Sequence, residues 1–150
     1  MISRLPARPN LEHLRKQAKT ILAGVKKGDA NSVLFFKEHL PAARELAPAK
    51  IRLLPLKLAD AQSAVARQSG FSNWAAVVRH VELLRSMEGA WQFENLELSG
   101  ATIPAAALTA SRLLIDGERF RMESPEGNYE GVMTIDAQKS PKQIDIEFIE

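Results

Sequence analysis

Apolar residues recur three and four positions apart through the first half of the chain and at every second position through much of the second half. Over residues 11–27, Leu11, Leu14, Ala18, Ile21, Leu22 and Val25 form one stripe, which predicts an amphipathic helix. Asn10 suits the N-cap and Gly28 the stop. A second, shorter helix is expected to start at Asp29 or Ser32 and to carry Val33, Leu34, Phe35, Phe36 and Leu40, with Pro41 interrupting or ending it. Pro41, Pro48 and Pro55 mark residues 41–57 as a linker or a set of short helical turns. A third helix is expected from about Leu58 to Ser69, ended by Gly70. A fourth follows the cap Ser72, with Trp74, Val77, Val78, Val81 and Leu84 as its buried stripe.

After Gly89 the period changes from about 3.6 to 2, which places a boundary between a helical module over 1–88 and a β domain over 89–150. Trp91 and Phe93 alternate in one phase and Leu96 and Leu98 in the other, so a bulge or bend is expected near Glu94-Asn95. Leu113 to Glu123 reads as a hairpin around Asp116-Gly117, with Phe120 and Met122 on one face. The next strand sets Tyr129, Gly131, Met133 and Ile135 on one face. The last sets Ile144, Ile146 and Phe148 inward against Asp145 and Glu147 outward. Pro104 to Ala110 reads as a helical turn across one end. The expected fold class is α+β, a helical module followed by an antiparallel sheet of about five strands.

Charge divides the chain in the same place. Residues 1–88 hold 15 Lys/Arg against 7 Asp/Glu, and residues 89–150 hold 5 against 11, so a net of +2 conceals a basic half and an acidic half. The first half can attract an acidic surface, and the halves can equally attract each other. The basic face of the first helix, Arg15, Lys16, Lys19, Lys26 and Lys27, is the candidate for that surface; its last two members also suit the negative end of the helix dipole.

The hydrophobic fraction of 45% and charged fraction of 25% argue for a folded chain. No apolar run approaches the roughly 18 residues of a membrane span, and the opening Met1-Ile2-Ser3-Arg4-Leu5-Pro6 lacks the apolar core of a signal peptide, so a cytoplasmic location without membrane partners is expected. The absence of cysteine removes disulfides, thiolate chemistry and zinc fingers.

Candidate chemistry is sparse. His13, His39 and His80 lie on separate expected helices without metal-ligand spacing, and there is no Gly-x-Ser-x-Gly elbow, phosphate loop or Gly-x-Gly-x-x-Gly. Carboxylates after Gly89 mostly alternate with apolar residues on a solvated strand face. The expectation is a non-catalytic protein without metal or cofactor. Residues 59–85 have the helix, glycine turn and helix of a DNA-reading motif, but the apolar stripe of Trp74, Val77 and Val78 falls where such a motif exposes polar residues, and Arg79 falls where it buries an apolar one. Sequence-specific nucleic-acid binding is therefore not expected, and only backbone attraction to the basic face remains.

Leu11-Glu12-His13-Leu14-Arg15-Lys16-Gln17-Ala18-Lys19, then Leu58-Ala59-Asp60-Ala61-Gln62, Ala66-Arg67, Gly70-Phe71, Trp74 and His80-Val81-Glu82 resemble a helical leader that precedes ankyrin repeats and other domains in bacterial proteins. That resemblance covers roughly residues 9–85 and implies an accessory module with no chemistry of its own. The second half resembles a family of small bacterial lipocalin-like domains in Gly89-x-Trp91, Gly100, Pro104, Asp116-Gly117 with Phe120, Tyr129-x-Gly131, Ile135-Asp136, Pro141-Lys142 and Ile144-Asp145. It implies that Trp91 opens the first strand and closes one end of a barrel. It also implies a cavity lined by Trp91, Phe120, Met122, Met133 and Ile135, residues that otherwise pack together as core.

A lipocalin-like barrel has about eight strands, and this chain stops at Ile149-Glu150 in what reads as the fifth. Either the sequence is a piece of a longer protein, or an open sheet must cover its edges with the helices or with a second copy. The expected function is a binding or interaction protein of undetermined ligand, with small apolar-ligand binding and weak nucleic-acid binding as alternatives. Self-association through the last strand is the expected partner mode.

Overall fold

The structure is a computed structural model describing residues 3–149; Met1 and Ile2 of the opening segment and Glu150 of the closing one lie outside the described residues. The fold is α+β, with helices first and an antiparallel sheet after them. The chain divides into two compact units, Met1–Val81 and Glu82–Glu150. The division falls inside a helix rather than at 88/89, where the periodicity changes. Periodicity reports the local conformation, whereas the division reports which core a side chain joins, and that changes well over one turn before the helix ends.

The first unit is built from α1 (Leu11–Lys27), α2 (Ala30–His39), α3 (Pro48–Leu53), α4 (Leu58–Gln68) and the first part of α5 (Trp74–Met87). Local chemistry sets most of their ends. Asn10 Oδ1 accepts from the N–H of Glu12 at 2.8 Å and of His13 at 3.1 Å. Gly28 ends α1 with φ +81°, a left-handed conformation that a side chain resists, and its N–H donates to Val25 O at 3.0 Å. Asp29 caps α2, its Oδ2 accepting from the N–H and Oγ of Ser32 at 2.8 and 2.7 Å; these bonds favour the ionised carboxylate and hold its pKa below the ordinary 3.8. The cap of α5 is Asn73, whose Oδ1 accepts from Ala76 N at 2.9 Å, rather than the expected Ser72. The helix begins at Trp74, so Asn73 is the residue from which a side-chain oxygen reaches the third helical N–H.

Residues 41–57 form short helical turns, a 3-10 turn at Pro41–Ala43 and α3, each with proline at its start. They are no mere linker, because Ile51 is fully buried with Phe36, Val65 and Val77 in the core of this unit. Ala18 of α1 and Ala61 and Ala64 of α4 are also fully buried, and these small side chains let the two helices pack closely. His39, at the end of α2, is buried with its ring 4.9 Å from that of Phe35, and burial pushes its pKa below the ordinary 6.5.

The second unit is an open five-stranded antiparallel sheet in the order β1 (Gly89–Gln92), β4 (Arg112–Asp116), β5 (Arg119–Ser124), β6 (Gly127–Asp136) and β7 (Gln143–Ile149). β1 and β7 are its edges. Between β1 and β4 the chain makes a separate excursion, a small ladder of β2 (Glu97–Leu98) and β3 (Ala101–Thr102) followed by α6 (Ala105–Thr109). The bend expected near Glu94-Asn95 is thus a full break, after which Ser99 and Gly100, at φ +50° and +78°, turn the chain back on itself.

Cross-strand register sorts the sheet into two faces. One carries the rows Leu113–Met122–Tyr129, Ile115–Phe120–Gly131–Phe148, Met133–Ile146 and Ile135–Ile144. The other carries charges, including pairs of Arg112 with Glu123 at 2.8 Å and Arg121 with Glu130 at 3.0 Å. Leu84, from the last turns of α5, packs on the apolar face with Ile115, Phe120, Met133 and Ile135, flanked by Leu83, Met87 and Leu113. At Gly131 the missing side chain is a requirement: a Cβ there would collide with the Glu147 carbonyl oxygen and the Phe120 ring. The rings of Phe120 and Phe148, from the strands on either side, close over the gap edge to face, with centroids 5.7 Å apart.

Two predictions follow from this packing. Gly131→Ala forces Phe120 and β7 apart and should destabilise the second unit by about 1–3 kcal/mol, read as a lower denaturation midpoint of the β signal. For His39, the folded pKa lies below the unfolded one, so its contribution is intact above pH 6.5 and is lost as pH falls through the folded value. The melting temperature of the helical signal should drop on acidification below pH 6.5, and the drop should shrink in His39→Gln.

Candidate ligand cleft

The excursion between β1 and β4 carries apolar residues at irregular spacing, and its backbone is closed by a bond from Ile103 N–H to Leu96 O at 2.8 Å. Pro104 starts α6, which turns Leu108 inward to burial. Between this excursion and the β5–β6 hairpin lies a cleft of about 470 Å³. Phe93, Leu96, Leu98, Ile103 and Leu108 line it from the excursion, and Met122 and Tyr129 from the apolar face of the sheet. The size is that of a small-molecule site, and the lining is mostly apolar, as such sites are.

The polar groups of the cleft are few and partly committed. Ser111 Oγ donates to Ala107 O at 2.7 Å and Ser124 Oγ to Gly127 O at 2.9 Å, so both hydroxyl protons satisfy backbone carbonyls. Glu126 and the Tyr129 hydroxyl remain to orient a ligand. The Tyr129 ring is held edge to face by Phe148, with centroids 6.4 Å apart.

The five residues singled out as cavity or core separate in the structure. Phe120, Met133 and Ile135 are buried with Leu84 in the core of the second unit. Met122 alone lines the cleft. Trp91 does neither: it is 49% exposed, and its indole N–H donates to Met87 O at 2.8 Å. Of the residues that do line the cleft, Phe93, Leu96 and Leu98 read as strand positions in two phases and Leu108 falls in the expected helical turn, so their pattern signals the local elements and not the cleft they enclose.

Arg15, Lys16, Lys19, Lys26 and Lys27 are all exposed on α1. Helical spacing lines up Arg15, Lys19 and Lys26, with Lys16 and Lys27 beside them. In α5, Val77 is buried, and the exposed positions include Arg79, Glu82, Arg85 and Ser86. His13 is exposed, while His39 and His80 are buried, His80 with its ring 5.1 Å from Phe71. Among the described residues no three His, Asp or Glu side chains converge as a metal site, and no helix is long and apolar enough to cross a membrane.

A row of exposed lysines offers phosphate contacts and nothing that reads sequence. Any DNA binding measured by gel shift should therefore be equal across unrelated duplexes and should disappear between about 50 and 200 mM salt.

No family model, curated protein or solved structure matches the chain.

Proposed function

We propose that this chain is a non-catalytic binding protein whose second unit holds a small apolar molecule in the cleft between the excursion and the β5–β6 hairpin. The observation that carries the reading is the cleft itself, about 470 Å³ with seven large apolar side chains around it and little competing hydrogen-bond chemistry. Burial of an apolar ligand against Phe93, Leu98, Leu108 and Tyr129 would be favourable at about 25 cal/mol per Å² before the costs of association. This is lipocalin-like in manner, an antiparallel sheet using its apolar face for both core and ligand, and on this reading the first unit is an accessory helical module.

A neutral fluorescent probe, N-phenyl-1-naphthylamine, tests the site without competing charge. Its emission should rise saturably with the intact chain. Leu98→Glu, at a position that is mostly exposed and outside the buried core cluster, should weaken the probe at least about tenfold while the melt is unchanged. Ile146→Lys, on β7 and outside the cleft lining, should leave it unaffected. If Leu98→Glu binds as the parent does, or both variants lose the probe equally, the cleft is not the site.

A further inference from the structure

β7 carries the second feature that the fold leaves unused. All seven of its residues are exposed, and it ends the strand order of the sheet, so one of its edges faces no neighbour among the described residues. Its side chains alternate between faces. Ile144, Ile146 and Phe148 continue the apolar face and stand 48, 58 and 61% exposed. Asp145 and Glu147 lie on the charged face, where their cross-strand neighbours on β6 are Thr134 and Val132. Neither acid has an ion pair among the described residues, unlike Glu123 and Glu130 further into the sheet, which Arg112 and Arg121 neutralise.

An added strand would complete three things at once. Its backbone would meet the open N–H and C=O groups of β7, its apolar side chains would extend cover over Ile144, Ile146 and Phe148, and its alternate side chains would sit directly opposite Asp145 and Glu147. The last contact selects the occupant. A second copy of β7 pairing about a two-fold axis centred on Asp145, Ile146 or Glu147 places acid against acid: Asp145 on Asp145, Asp145 on Glu147, or Glu147 on Glu147. Like charges directly opposite are destabilising in a ladder. Moving the axis to Ile144 relieves this only by shortening the overlap and drawing Pro141 into it.

We propose that the β7 edge is a docking site for an extended segment of a separate polypeptide, in which apolar residues alternate with lysine or arginine. The segment adds as a sixth strand. Its basic side chains pair with Asp145 and Glu147, and its apolar ones continue the face of Ile144, Ile146 and Phe148. This site is distinct from the cleft and does not rest on the cleft reading.

The test uses the whole chain and two synthetic ten-residue peptides, one alternating valine with lysine and one with glutamate in place of every lysine. The lysine peptide should bind at least about tenfold more tightly than the glutamate peptide at low salt, with the difference narrowing as salt rises. Asp145→Lys/Glu147→Lys, whose side chains are exposed and face away from the core, should reverse the preference. Hydrogen exchange should slow at the β7 amides on peptide binding and not in β1 at the opposite edge. Equal binding of the two peptides by the parent chain overturns the proposal, and so does binding without protection of β7, which would place the peptide elsewhere. A stable dimer that the double variant strengthens would also overturn it, since β7 would then be occupied by its own copy. Because probe binding in the cleft is measured separately, failure here leaves that reading intact, and the converse holds.

Discussion

The sheet of the second unit has a wider apolar face than its packed elements cover. Strand alternation commits every second side chain of β4 to β7 to one side, and nearly all of those are apolar, because the other side is a ladder of charges that must stay wet. Three side chains from the end of α5, Leu83, Leu84 and Met87, seal the middle of that face. The β2–β3 excursion and α6 stand over another part without filling the space beneath. Ile144, Ile146 and Phe148 receive no cover from either. The closed core, the cleft and the open strand are thus three consequences of one surplus: the same apolar row is core where a helix reaches it, a pocket where a loop spans it, and a surface where nothing does.

Gly131 shows how tightly the covered part is made. It occupies the middle of β6, where a side chain would normally contribute to packing, and glycine weakens a strand by its lost contacts and its backbone freedom. The structure compensates by closing aromatic rings from both neighbouring strands over it, so a locally poor choice becomes the seat of the Phe120–Phe148 contact. Phe148 is therefore positioned by the core and still mostly exposed, and Tyr129 leans on it from the cleft side. The exposed strand and the cleft share an aromatic wall.

What the sequence made legible was whatever is decided locally. Asn10 and Gly28 bracket α1 because capping chemistry acts over three or four residues, and Asp116-Gly117 marks the β4–β5 hairpin for the same reason. The cap of α5 was misplaced by one residue, since Ser72 and Asn73 are both good caps and only the start of the helix at Trp74 chooses between them. The three prolines of 41–57 read as a linker or short helical turns, and the turns are what form, but prolines restrain a segment without saying whether it is buried, so the burial of Ile51 was not legible. The cleft was the least legible feature. Its walls come from a segment whose alternation changes phase and from the apolar face of the sheet, and periodicity carries no information about which loop folds over which strand. Of the five residues read as cavity lining or core, Phe120, Met133 and Ile135 are core, because regular alternation marks residues that pack.

The single helix α5 contributes Val77 and Val81 to one core and Leu84 to the other without a break in its hydrogen bonding. Starting a helix is the unfavourable step, with a nucleation constant on the order of 10⁻³, and extending it is close to neutral. A chain that has formed the Trp74 end of α5 therefore extends the helix to the Leu84 turn without a second nucleation step. The order of events in folding is thereby biased toward helix before strand.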